Sequence, residues 1–285
     1  MLPKILHLEP TDVCNLACPL CAREIDTDFN KSIKNHLTIE QIQQHCSDDF
    51  IKNLNKMFMC GNYGDPAAGR FSLDIYRYFR TINPTITLGM NTSGSIRTPA
   101  WWIELASILN QPRDFVVFSI DGLADTNHVY RVNSVWDSII DNAQAFIRAG
   151  GSAHWDMLVY QHNEHQVDQC QDLAQELGFK WFRAKVSKRP LANNLEFPIN
   201  WTKLQYTPGR IDCYALKEQS IYIDAQGRKS PCCWLGSRQG NFVTDIAQVQ
   251  VTWNTATPDL TCATTCTAQE NITNFESQWQ REVAF

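Results

Sequence analysis

A chain of 285 residues makes one large domain or two modest ones and is long enough to bury a full core. Charged residues at 19% and hydrophobic ones at 44% exclude a wholly disordered chain, and no apolar run approaches the roughly 18 residues of a membrane helix. Lys plus Arg number 25 against 30 Asp plus Glu, a net charge of −5, which leaves no overall basic footprint and argues against a nucleic-acid substrate.

Residues 3–11 alternate apolar and polar, as a half-buried strand does. A polar stretch holding Cys14, Cys18 and Cys21 follows. Thr38 and Gln41 form a capping-box pattern that opens a helix running to about Asn55. Residues 56–62 read as a buried strand ended by a Gly/Asp/Pro turn. A helix over 71–82, a strand over 85–91 and the loop 92–94 come next. Thr98 and Pro99 open a helix over 99–110, with proline at the first helical position. A strand over 114–120 leads to Asp121-Gly122. Ser134 caps a helix that ends at Gly150-Gly151. A strand over 153–160, a helix over 165–177 closed by Gly178, and a strand over 180–186 complete the series.

Six strands alternating with five helices predict an α/β domain with a parallel sheet and right-handed crossovers. The pattern alone does not separate an open sheet from a partial barrel. In either case the loops after the strands form the active edge. After Lys188 the pattern breaks. Residues 188–212 carry Pro190, Pro198 and Pro208 and read as a linker. Residues 213–285 are loop-rich, with one hairpin signal over 220–224 turning at Gly227. So small a region needs a staple, and a metal cluster can be one.

The chain holds eleven cysteines, an odd number and too few for a disulfide scaffold. The first ten residues contain no apolar signal segment, so an intracellular, cytoplasmic enzyme is expected, with thiols serving as ligands rather than bridges. Three thiols sit in a C-x3-C-x2-C run, Cys14, Cys18 and Cys21. Five sit in the last quarter: Cys213, Cys232, Cys233, Cys262 and Cys266. Cys46, Cys60 and Cys170, between them, read as core. The first three can ligate three corners of a 4Fe–4S cube and leave one iron open. A zinc site completed by His7 or His36 is the other metal reading. His162, in the loop after the fifth strand, reads as solvent-facing. The basic run from Lys185 to Arg189 reads as a solvated face.

Cys-x3-Cys-x2-Cys behind the first strand of a six-unit βα domain resembles the radical S-adenosylmethionine (SAM) enzymes. The resemblance continues over about residues 4–187. Gly61-Asn-Tyr-Gly64-Asp65-Pro66 resembles the family's Gly-Glu-Pro motif, which binds the amino group of SAM, with Asp in place of Glu. Asn91, Ser119 and Asp121 fall where the family places ribose and carboxylate contacts. Arg131 resembles the arginine that pairs with the SAM carboxylate. Leu158 or Val159 would pack near the adenine. The resemblance implies a partial (βα)6 TIM-like barrel over 1–187. It also implies a 4Fe–4S cluster on Cys14, Cys18 and Cys21, and reductive cleavage of SAM to a 5′-deoxyadenosyl radical that abstracts a substrate hydrogen.

Cys213-x13-Gly227-x4-Cys232, followed by Cys262-x3-Cys266, resembles the C-terminal SPASM/twitch extensions of that family. The shorter twitch version, with one auxiliary 4Fe–4S cluster on Cys213, Cys232, Cys262 and Cys266, fits better. Cys233 competes with Cys232 for one position. A zinc knuckle is the structural alternative there. The resemblance implies oxidative modification of a peptide or protein side chain, with a small-molecule alcohol dehydrogenase as the rival enzyme and a zinc-stapled binding module as the rival from another class. It also implies an electron donor such as flavodoxin or ferredoxin.

Overall fold

In the computed structural model, which describes residues 2–186, 195–199, 211–237 and 242–266, the predicted strand–helix alternation is present. The strands are β1 (Ile5–Leu8), β2 (Lys56–Met59), β3 (Thr87–Thr92), β4 (Phe115–Ser119), β5 (Ala153–Val159), β6 (Trp181–Val186), β7 (Ser220–Ile223) and β8 (Lys229–Ser230). The helices are α1 (Ala22–Ile25), α2 (Ile39–His45), α3 (Asp48–Asn53), α4 (Ser72–Ile82), α5 (Pro99–Ile108), α6 (Asn127–Tyr130), α7 (Trp136–Arg148), α8 (Val167–Leu177), α9 (Tyr214–Lys217), α10 (Ala247–Gln250) and α11 (Leu260–Thr265). Much of the expected linker, including Pro190 and Pro208, lies outside the described residues, as do Lys188, Arg189 and the chain beyond Cys266.

The sheet runs β6-β5-β4-β3-β2-β1-β7-β8 and does not close. Neighbours from β6 to β7 are parallel, and β8 alone is antiparallel. This is an α/β partial barrel, as expected. Strand alternation sorts the side chains. Leu6, Leu8, Met57, Met59, Leu88, Met90, Val116, Phe118, Trp155 and Met157 join the main core, which also takes in Ile42, Ile75, Phe79, Trp102, Leu105 and Phe146 from the helices. On the opposite face Ile5, Phe58, Phe115 and Val117 form a separate apolar plug, with Cys60 packed against it. Cys46 and Cys170 are buried in the main core, as expected.

Two local expectations change, and a third gains a partner. The single helix expected over 38–55 is two helices. The chain extends at Cys46, and Ser47 opens α3 by accepting the Phe50 N–H, so a fresh cap displaces the continuing turn. Ser134 does not cap α7; its hydroxyl accepts from Asn127 Nδ2 at 3.0 Å instead. The hairpin at Gly227 forms, with Tyr222 opposite Ser230 and φ of 79° at the glycine. Its first strand also docks parallel on β1, with Ile5 beside Ser220 and Leu8 beside Ile223. The sheet of the barrel therefore continues into the C-terminal cysteine region. Among the described residues no helix is long and apolar enough to cross a membrane.

Candidate active site at the C-terminal edge of the sheet

The loop after β1 starts on Glu9, which is buried. Its carboxylate accepts the Tyr63 N–H at 2.6 Å, the Gly64 N–H at 3.0 Å and the Tyr222 hydroxyl. Burial pushes Glu9 up to about 7, and those bonds oppose the shift. One carboxyl group thus ties the loops after β1 and β2 to β7.

Cys14, Cys18 and Cys21 gather in one cluster with Leu16, Leu20, Tyr130, Leu158 and Tyr160. Cys14 Sγ accepts the Leu16 N–H at 3.4 Å. Arg131 Nη1 lies 3.8 Å from Cys18 Sγ as donor, and the Cys21 thiol faces the Asn62 carbonyl at 3.5 Å. Burial pushes the Cys14 thiol up to about 12, and Asp65 adds to it. Burial raises Cys18 as well, against the pull of Arg131. A metal would have to displace these protons, because the thiolate is the ligand. His7, once a candidate fourth ligand, lies elsewhere: it donates to or accepts from nothing in this cluster but bonds the Cys60 carbonyl at 2.9 Å and stacks on Phe58. His36 Nδ1 instead meets the Thr11 hydroxyl at 3.0 Å.

The 61–66 loop packs backbone on backbone. A Cβ at Gly61 would overlap the Gly64 carbonyl, and one at Gly64 the Thr11 carbonyl. Asp65 is buried, and its carboxylate is fully used. Oδ1 accepts from the Ala67 N–H at 2.9 Å and Thr92 Oγ1 at 2.7 Å; Oδ2 accepts from the N–H and the hydroxyl of Ser93, both at 2.8 Å. All four lone-pair directions are taken, so the side chain holds the loop. Pro66 starts a short 3-10 turn next to it. At the end of β3, the Asn91 side chain bonds the Cys60 thiol, while its Oδ1 is buried without a hydrogen-bond partner. Such an atom costs free energy unless something fills its place.

Ser119 ends β4, half-buried, in register with Asp156. Asp121 is buried beneath the edge. Its Oδ1 accepts the Leu158 N–H at 2.6 Å and its Oδ2 meets Arg131 Nε at 2.6 Å. Burial raises Asp121, and Arg131 opposes. Asp121 therefore anchors Arg131. Asn163 fixes the same corner, donating to the carbonyls of Asp121 and Leu158 at 2.9 Å. His162 is half-buried and stacks on Tyr160, so it is not the solvent-facing residue expected. His154 lies between the rings of Phe115 and Trp181 at the opposite end of β5.

Sequence reading missed a charged group inside the barrel. Arg183 grips Asp156 with two N–H groups, Nε to Oδ1 at 3.0 Å and Nη2 to Oδ2, and Lys185 Nζ donates to Oδ2 at 2.7 Å. Burial opposes it, yet Lys185 and Arg183 hold Asp156 below the usual carboxylate range. Lys185 thus bonds Asp156 on the lumen side of β6 while its side chain stays 42% exposed. The signal was the two-residue period of β6, which puts Arg183 and Lys185 on one side.

The second set also converges. Cys213, Cys232, Cys262 and Cys266 are all buried in one cluster with Ala215, Leu235, Val249 and Ala263. They come from the loop before α9, the segment after β8, and both ends of α11. A hydrogen bond between Cys266 and Cys213 lowers Cys213 and raises Cys266. Burial pushes Cys262 up to about 12. Cys233 is half-buried, its Sγ 4.0 Å from the Tyr214 hydroxyl, which also bonds the Cys232 thiol. Its carbonyl accepts from Asn62 Nδ2 at 2.9 Å, so Asn62 touches both cysteine segments. Among the described residues no three His, Cys, Asp or Glu side chains are focused on one metal ion.

No family model and no curated protein matches the sequence. Solved structures do match in shape. Streptococcus suis SuiB bound to the precursor peptide SuiA is 15% identical with a TM-score of 0.58, over 87% of this chain and 64% of that one. SuiB bound to S-adenosylmethionine is 15% identical with a TM-score of 0.57, over 82% and 61%. Native anSMEcpe with bound AdoMet and Cp18Cys peptide is 14% identical with a TM-score of 0.60, over 95% and 81%. At such identity the likeness shows the fold. The chain matches only 61–64% of the length of SuiB.

Proposed function

We propose that this chain is a radical SAM enzyme that modifies a peptide side chain oxidatively. One observation carries the proposal. Three cysteines in a C-x3-C-x2-C run meet Arg131 in one cluster at the C-terminal edge of an open parallel barrel, while the buried Asn91 Oδ1 at the end of β3 lacks a partner. The donor set fits: three thiols suit a 4Fe–4S cluster with one open iron. When bound, that cluster would supply the electron that cleaves SAM to methionine and a 5′-deoxyadenosyl radical.

The chain's own residues hold and orient. Cys14, Cys18 and Cys21 would ligate the cluster. Arg131, fixed by Asp121, keeps guanidinium N–H groups for a carboxylate, as its planar fork suits. Asn91 Oδ1 would accept a ribose hydroxyl. The close packing of Gly61 and Gly64 fixes the backbone that would meet an amino group, since the Asp65 carboxylate is spent on Thr92, Ser93 and Ala67. Leu158, Tyr130 and Tyr160 line the cluster with apolar surface and exclude water.

Cys213, Cys232, Cys262 and Cys266 would hold an auxiliary 4Fe–4S cluster. Their common burial supports Cys232 over Cys233. A peptide substrate is supported by the likeness in fold to two proteins solved with peptides. A reductant such as flavodoxin or ferredoxin would supply the electron.

The test is anaerobic. Purified protein should carry about eight irons and eight sulfides. Changing Cys14, Cys18 and Cys21 together to Ala should abolish reductant-dependent 5′-deoxyadenosine formation. A zinc-only protein, or unchanged formation in the triple variant, would refute the reading.

A further inference from the structure

Asp156, Arg183 and Lys185 form a charged trio on the lumen side of β5 and β6, although the fold does not call for it. On β6, Phe182 and Ala184 pack with the helix-side core, which turns Arg183 and Lys185 toward the lumen. On β5, Asp156 stands in register with Arg183. Next to them the lumen is plugged by Ile5, Phe58, Phe115 and Val117. Charges beside such a plug are expensive to bury, and an apolar set would serve stability as well.

The three charges do not cancel. Two cations face one carboxylate. The Arg183 fork and both Asp156 oxygens are committed to each other. Lys185 spends one of its three N–H groups on Asp156, and its side chain is the most exposed of the three, 42% against 23% for Arg183 and 9% for Asp156. Within this trio Lys185 Nζ therefore keeps two N–H donors and is the more exposed of the two cations. Lys185 is in register with Leu158, which packs against the cluster of Cys14, Cys18 and Cys21.

We infer that Lys185, set by Asp156 and Arg183, is a carboxylate-binding subsite that anchors the substrate beside the cysteine cluster. The carboxylate is that of an acidic side chain or of a peptide C-terminus. The inference rests on the radical SAM reading for what then happens to the anchored residue, but not for the binding itself. Asp156 does the positioning: it holds the ammonium in place and, by its charge, keeps the attraction moderate.

The experiment uses the anaerobically reconstituted holoenzyme and calorimetric titration with three probes. N-acetylglutamate α-amide carries a side-chain carboxylate, N-acetylglutamine an α-carboxylate, and N-acetylglutamine amide none. At least one carboxylate probe should bind about tenfold more tightly than the neutral one, and which of them does so identifies the source. Lys185→Met, or Lys185→Gln should the first fold poorly, should erase that preference. Asp156→Asn, which removes the internal countercharge, should enlarge it about threefold or more. A purely structural role would not move the two variants in opposite directions. The affinity for SAM should stay the same in all of them. Equal binding of the three probes, or a preference that survives Lys185→Met, overturns the inference. So does a tenfold loss of SAM affinity in Lys185→Met with the preference intact, since Lys185 would then serve SAM. Failure of the radical SAM reading shows separately, as wild-type protein that does not bind SAM.

Discussion

Asp65 shows how one buried carboxylate can hold a whole loop. The side chain turns back on its own loop and takes four hydrogen bonds from Ala67, Thr92 and Ser93. Asp65→Ala would leave those buried donors unpaired and should cost roughly 3 kcal/mol of stability in denaturant unfolding. A loss below about 1 kcal/mol would show that the network is dispensable. His154 makes a pH prediction. Burial lowers its pKa from 6.5 to about 4, so the folded chain keeps it neutral while the unfolded chain protonates it below 6.5. The neutral-state advantage is therefore present above 6.5 and lost as pH falls toward 4. His154→Phe keeps a ring between Phe115 and Trp181 and removes the titration. Relative to that variant, the wild type should lose about 2 kcal/mol between pH 7 and pH 4.5. Equal pH slopes for the two proteins would contradict it.

Elements were legible where a local signal decides and less so where two signals compete. The capping box of Thr38 and Gln41 forms as expected, with each side chain bonding the other's backbone N–H. The apolar period then runs on through Cys46, but Ser47 followed by two aspartates is itself a strong start, and the cap wins. Ser47→Ala should cost about 1 kcal/mol, read by thermal or denaturant unfolding, because the Phe50 N–H loses its acceptor. No change would mean that packing of Ile51 alone sets the break. Strand β6 shows the opposite limit. Its two-residue period was visible, but which face looks into the barrel was not. Lumen-facing positions include apolar Ile5 and Phe58 as well as charged Arg183 and Lys185, so polarity does not mark the face. The cysteine triad needed no such choice. Its three thiols lie within eight residues, and a strand end places them together whatever the face.

At the scale of the molecule, the parallel pairing of β7 with β1 joins what the sequence separates. Hairpin signals are local, whereas this pairing spans more than two hundred residues and carries no local mark. Its consequence is that the second cysteine region belongs to the barrel's sheet. The Lys4 N–H donates to the Gln219 carbonyl and the Glu9 N–H to the Ile223 carbonyl, both at 2.8 Å, so the two strands are bonded end to end. The Tyr222 hydroxyl then reaches Glu9, the carboxyl group under the first cysteine loop. A chain ended at residue 212 would bare the whole edge of β1, including backbone groups that β7 now satisfies. It would also leave Glu9 buried without its tyrosine. Such a fragment should aggregate or fail to fold, even though it keeps β1 to β6 and all three N-terminal cysteines. Gel filtration and circular dichroism of the fragment decide the matter. A monomeric fragment with full helical signal would mean that the barrel is an independent unit and that β7 is an accessory to it.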